Sequence, residues 1–113
     1  MTGLTTHVLD TTHGRTAAGL TLRLIRDGKV LVETVTNADG RCDAPLLTGE
    51  TVRVGAYRLE FEVGAYFRAQ GVNLPDPAFL ETVVVDFGIA DVAAHYHVPL
   101  LVSPFGYSTY RGS

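Results

Sequence analysis

Apolar and polar residues alternate along several short stretches of this chain, and the alternation breaks at glycine, proline, asparagine and aspartate. Leu20, Leu22 and Leu24 fall on one face of an extended segment, with Thr21 and Arg23 on the other. Tyr57, Leu59, Phe61 and Val63 alternate as cleanly with Arg58, Glu60 and Glu62, which predicts a half-buried strand. Turn signals recur at short intervals: Thr12-His13-Gly14, Asp27-Gly28, Asn37-Ala38-Asp39-Gly40, Thr48-Gly49, Pro75-Asp76-Pro77, Asp86-Phe87-Gly88 and Ser103-Pro104. Short strands so punctuated predict an all-β sandwich or barrel. The clearest hairpin joins Leu20 to Arg26 with Val30 to Val35 through Asp27-Gly28, a pair that tolerates the positive φ of a tight turn. Phe79 to Asp86, Ala93 to Val102 and Tyr107 to Tyr110 read as further strands. Only the stretch from about Gly64 to Gln70 reads as a short helix, ended by Gly71. With no internal repeat and 113 residues, a single domain over 1–113 is expected.

Hydrophobic residues at 46% and charged residues at 19% fit a compact globule rather than a disordered chain. Nine basic and twelve acidic residues give a net charge of −3, and the basic ones are scattered, which argues against a nucleic-acid partner. The single cysteine, Cys42, excludes an intrachain disulfide and a Cys-rich zinc site; it reads as a small half-buried filler in a protein of a reducing compartment. The N-terminal stretch has neither a basic nor an apolar signal region, and no apolar run approaches the roughly 20 residues of a membrane helix, so a cytoplasmic protein without a membrane partner is expected.

Candidate chemistry sits on histidine, arginine and the C-terminal segment. His95 and His97 flank Tyr96 in a strand-like segment, so both imidazoles share one face while Tyr96 and Val98 take the other. His7 interrupts another strand, aligned with Thr5 and Leu9 and opposite Val8. A lone His-x-His is a weak metal signal, and no metal site is expected. His13, in the Thr-His-Gly turn, reads as a solvated loop residue. Arg41 follows the Asp39-Gly40 turn, whose geometry would aim a planar guanidinium suited to carbonyls and carboxylates. No nucleophile elbow, Walker loop or dinucleotide fingerprint is present. Catalysis, if it occurs, would use histidine acting on water, since imidazole exchanges protons near neutral pH. Alternation places Ser108 and Tyr110 on one face of the last strand. Tyr110-Arg111-Gly112-Ser113 carries more functional groups than a fraying terminus needs.

Four segments together resemble the transthyretin-related hydroxyisourate hydrolase family: Leu4-Thr5-Thr6-His7-Val8-Leu9-Asp10, Thr36-Asn37-Ala38-Asp39-Gly40-Arg41, His95-Tyr96-His97-Val98-Pro99-Leu100-Leu101, and the ending from Ser103 through Tyr110-Arg111-Gly112-Ser113. The resemblance runs nearly end to end. It implies a transthyretin-like β-sandwich of two four-stranded sheets with one short helix, assembled as a homotetramer from two dimers with sites between the dimers. It implies hydrolysis of 5-hydroxyisourate, a small molecule of urate breakdown, to 2-oxo-4-hydroxy-4-carboxy-5-ureidoimidazoline, without a cofactor. His7, Arg41, His97 and Tyr110 match family positions that hold or act on substrate, Ser108 and Arg111 match positions beside them, and His95 matches a position whose role the resemblance leaves open. It also leaves open which of His7 and His97 is the general base. His13 and Thr16 stand where many relatives have a basic residue and a proline. The alternative is a non-catalytic transthyretin-like carrier of a small aromatic ligand; transthyretin itself lacks the histidine and arginine set and the Tyr-Arg-Gly-Ser ending, and this chain has both.

Overall fold

A computed structural model describes residues 2–113. Two sheets face each other across one core. In the second of them in chain order, Asp27 and Gly28, at φ 52° and 75°, close the expected hairpin between β3 (Thr21–Arg26) and β4 (Lys29–Val35). A register shift between Leu24 and Ile25 adds twist there. β6 (Gly55–Phe61) pairs with β3 and β7 (Val83–Ile89) with β6, all antiparallel, in the order β4-β3-β6-β7. The alternation read from the sequence faces inward as expected: Leu20, Leu22, Leu24, Leu59, Phe61 and Val63 are fully buried and Tyr57 nearly so.

The other sheet is built on β1 (Gly3–Asp10) and β8 (His95–Ser103), which run parallel from Gly3 opposite His95 to Asp10 opposite Val102. β9 (Gly106–Thr109) folds back on β8. The far edge of β1 is shared by two short strands, β2 (Arg15–Thr16) and β5 (Leu47–Thr48), so the sheet contains five strands but is four wide. The two four-stranded sheets that the family resemblance implies are present, with the two-residue β5 added beside β2 on the edge of β1. Leu4, Thr6, Val8 and Asp10 of β1 and Tyr96, Val98, Leu100 and Val102 of β8 are buried against the opposite sheet. The alternate residues, Thr5, His7, Leu9, His95, His97 and Leu101, take the outer face and are only half-buried.

The helix α1 (Val63–Ala69) lies where expected and buries Val63, Tyr66 and Phe67. It ends on Gly71 at φ 85°, with Val72 N–H donating to Phe67 O and Gly71 N–H to Arg68 O, the paired bonds of a glycine-stopped helix. The strand expected from Phe79 begins only at Val83. Glu81 accepts the Ala78 N–H at 2.9 Å and pairs with Arg68 at 2.9 Å, which ties the preceding residues to the helix as a loop and leaves Phe79 exposed. His13 is likewise not a free loop residue: its backbone N–H and Nδ1 both meet the carboxylate of Asp10. Cys42 is half-buried against the core, as a filler would be, and burial raises its thiol pKa. Among the described residues, no helix is long and apolar enough to cross a membrane.

Asp10 is 1% exposed and also accepts the Tyr66 hydroxyl at 2.8 Å, so a buried carboxylate joins the end of β1, its following turn and the helix. Burial works to raise its pKa, but the bonds from His13 and Tyr66 outweigh it and the net shift is downward. Burial and Asp10 together push the Tyr66 phenol up to about 12, so it stays a donor. A depressed folded pKa contributes stability above the unfolded value, lost as pH falls through the folded one. Tyr66→Phe should therefore cost about 1.5–3 kcal/mol at neutral pH, as expected for a bond to a charged group. Denaturant unfolding of parent and variant should show that gap narrowing as pH falls below the ordinary Asp value of 3.8 toward the lower folded pKa of Asp10.

Candidate active site

The parallel pairing of β1 with β8 gathers the imidazoles. It sets Thr5 beside His97 and His7 beside Pro99, and because paired residues share a face, Thr5, His7, His95 and His97 all project from the outer side of the sheet. Arg41 enters from the edge of β1, where it forms an isolated antiparallel bridge with His7. The turn before it explains its placement. Asn37 Oδ1 accepts the N–H groups of Asp39 at 2.9 Å and Arg41 at 3.2 Å, and Asn37 N–H donates to Arg41 O at 2.8 Å. Gly40 sits at φ 72° and hands its carbonyl to Val8 N–H at 2.8 Å; a Cβ on it would lie 2.4 Å from Val8 O. Only glycine fits there, and the next residue is thereby delivered opposite His7. Arg41 is exposed, and among the described residues its guanidinium has no hydrogen bond or ion pair.

Burial lowers the pKa of His7, with the Arg41 charge adding to the effect and Asp39 opposing it. Burial is also the leading cause of the lowered pKa of His97, followed by Arg41, His7 and His95. Both rings are therefore poised as neutral imidazoles near neutral pH, free to accept a proton. Thr5 Oγ1 lies 2.8 Å from His97 Nδ1 and 3.2 Å from His95 Nε2, while His95 Nδ1 is buried without a partner. A hollow of about 220 Å³ opens beside this group, lined in part by Thr5, Arg41 and Cys42. Among the described residues, no three His, Cys, Asp or Glu side chains converge as metal ligands would.

The last residues continue the register of β9. Ser108 pairs with Leu101, and Gly112 bridges His97 with its N–H on the His97 carbonyl at 2.8 Å. The same register sets Tyr110 across from Pro99, so Ser108 and Tyr110 share one face, as the alternation predicts, and fall on that of the histidines, where Tyr110 is 60% exposed. Arg111 does not. Its guanidinium lies 4.1 Å over the ring of Tyr96, on the inward side, and donates to His95 O at 3.3 Å. Alternation turns every second residue inward, and that holds for Arg111 beyond the end of β9. Tyr96 in turn accepts the N–H groups of Ala90 and Asp91, both at 3.1 Å. Gly112 approaches His97 so closely that a Cβ would lie 2.6 Å from its Cδ2.

Gly112 lies in the terminal segment expected at the site, whereas Thr5 and Tyr96 were not expected as parts of this neighbourhood. The period of two already placed Thr5 on the face of His7, but nothing local tells that β1 lies against β8, about ninety residues on.

The HIUase/Transthyretin family profile matches residues 4–112. A 5-hydroxyisourate hydrolase of Ralstonia nicotianae is 58% identical over 114 residues, spanning 97% of each chain. Among solved structures, 5-hydroxyisourate hydrolase of Klebsiella pneumoniae superposes with a TM-score of 0.82 at 38% identity, covering 97% of this chain and 98% of that one. Sea bream transthyretin, solved in complex with thyroxine, superposes with a TM-score of 0.83 at 31% identity, covering 96% and 93%. The sandwich, its parallel β1–β8 pair and the nearly full-length matches lead to one conclusion: the chain belongs to the HIUase/Transthyretin family.

Proposed function

We propose that this protein is a 5-hydroxyisourate hydrolase that opens the six-membered ring at its acyl C–N bond. The observation that carries this reading is the single outer face on which two neutral imidazoles, His7 and His97, stand beside the unpaired guanidinium of Arg41. The relatives' names supply the substrate. In the reaction, His97 takes a proton from water as the oxygen attacks the acyl carbon, and His7 holds the water or the ring. Arg41 faces the negative charge that develops on the carbonyl oxygen, an effect strongest in a site closed to water. The proton then passes from His97 to the departing ring nitrogen, and the product carries a carboxylate. Ser108 and Tyr110 border the ring from the last strand. Arg111 serves the site by anchoring the terminal segment on Tyr96.

The proposed assembly is a homotetramer, a dimer of dimers, in which a partner closes this face. Its support is the half-buried histidines and the exposed Tyr110 beside an edge strand of the sheet. A single half-buried thiol suits a cytoplasmic location. The likeness to thyroxine-bound transthyretin favours a second reading, a carrier of a small aromatic ligand. Generating 5-hydroxyisourate in situ with urate oxidase and following its ultraviolet band separates the two, because a carrier leaves the spontaneous decay unchanged.

His97→Asn should lower kcat in that assay by about 10²–10⁴-fold, the usual contribution of a positioned acid or base, with KM little altered. Arg41→Gln should lower kcat by about 10²–10³-fold through the lost charge at the oxygen. It should also move the acid limb of the pH–rate profile upward. Burial first and the Arg41 charge second hold both imidazoles below the ordinary histidine value of 6.5 in the parent, and removing the cation raises the limb part of the way back. Deleting Tyr110 through Ser113 should leave the sandwich folded by circular dichroism yet hydrolysing poorly, since it strips the terminal wall from His97 and costs the core only the stacking of Arg111 on Tyr96.

A further inference from the structure

Thr5 and Thr6 adjoin each other in β1 and use their hydroxyls differently. Thr6 turns inward, is 2% exposed and donates to Val98 O at 2.7 Å, a bond that fastens one strand to the next. Thr5 turns outward and reaches two rings of the neighbouring strand, His97 at Nδ1 and His95 at Nε2. A hydroxyl has one proton and two lone pairs, enough to serve both contacts at once. For His95 it is the only polar partner among the described residues, since the other ring nitrogen is buried and unpaired. For His97 it occupies Nδ1 on one side while the backbone of Gly112 closes on Cδ2.

We propose that Thr5 is a positioning residue for the reaction: its hydroxyl holds Nδ1 of His97 and links that ring to His95, leaving Nε2 of His97 as the nitrogen that works on water. The inference rests on the proposed hydrolase reading. A catalytic histidine needs a third group to fix its orientation and its tautomer, a role more often filled by a carboxylate. Threonine suits the role because its branched Cβ restricts χ1 and so directs the hydroxyl. The hydroxyl is also neutral. Of the ionisable groups around His97, namely Arg41, His7 and His95, each lowers its pKa, whereas a carboxylate at the position of Thr5 would raise it and slow release of the proton to the leaving nitrogen.

Thr5→Val keeps the shape and removes the hydroxyl, and Thr5→Ser keeps the hydroxyl with less bulk. With 5-hydroxyisourate generated in situ, Thr5→Val should lose about ten- to a hundredfold in kcat with KM within about threefold, and Thr5→Ser should recover most of it, as expected for a misaimed catalytic group. Long-range 15N–1H spectra of the imidazoles should show His97 as one tautomer in the parent and in Thr5→Ser, and as a mixture in Thr5→Val. If Thr5→Val is too unstable to assay, Thr5→Ala carries the same expectations. A valine or alanine variant whose kcat stays within about twofold of the parent, or whose His97 tautomer is unchanged, overturns the proposal. A parent that fails to hydrolyse 5-hydroxyisourate overturns instead the hydrolase reading, and the spectra then still decide whether Thr5 governs His97.

Discussion

Everything at the outer face depends on the parallel pairing of β1 with β8. Eight consecutive residue pairs, from Gly3 with His95 to Asp10 with Val102, fix the register. Because side chains alternate with a period of two, a one-residue slip of β1 would turn Leu4 and Val8 out to solvent and His7 into the core, and a slip of β8 would do the same to Tyr96 and Leu100 and to His95 and His97. The hydrophobic face therefore holds the polar one in place: burial of leucines and valines on the inside is what keeps Thr5, His7 and His97 together on the outside. Parallel neighbours also require a long crossover, and here the second sheet and the helix form it. Core and candidate site are consequently products of one folding event rather than separate modules.

Two polar anchors refine what that pairing sets up. Asp10 closes the end of β1 by accepting from His13 and Tyr66, so the inner end of the strand is held by the helix. Asn37 and Gly40 shape the turn that lays Arg41 beside His7, and the close approach of Gly40 to Val8 makes the turn part of the sheet edge rather than a loop over it. The backbone of Arg41 is thereby fixed beside His7, while its exposed guanidinium is left without a hydrogen-bond partner among the described residues.

Much of this was legible locally. The Asp27-Gly28 hairpin, the inward faces of Leu20 to Leu24 and Tyr57 to Val63, and the glycine-stopped helix each follow from rules that span a few residues. The N-terminal face of His7 and the terminal face of Ser108 and Tyr110 were legible for the same reason. What escaped reading depended on partners distant in sequence. The strand at Val83 starts late because Glu81 is engaged by Arg68; His13 is fixed by a carboxylate that alternation alone would have left buried and unpaired; and the ring that receives the inward-turned Arg111 is that of Tyr96 on the neighbouring strand. A period of two says which face a residue takes, but not what stands on the neighbouring strand.

The likeness to both a hydrolase and thyroxine-bound transthyretin, at TM-scores of 0.82 and 0.83, shows that this backbone is compatible with either activity. What distinguishes a chemical role from carriage must then reside in side chains on the outer face, and the composition of that face is informative. A site built only to hold an aromatic ligand has no need to keep two imidazoles neutral beside an unpaired guanidinium, an arrangement in which each group raises the electrostatic cost of protonating the others. The terminal segment fits the same argument. Gly112 spends its N–H on His97 and leaves no room for a side chain against that ring, while Arg111 is held by Tyr96 from within. An ending secured from both sides of a sheet edge contributes little to the core, since all of β9 is exposed in the single chain. Its contacts fall on three successive residues of β8, the His95 carbonyl, the Tyr96 ring and the His97 carbonyl, so the ending is fastened along the strand that carries the histidines.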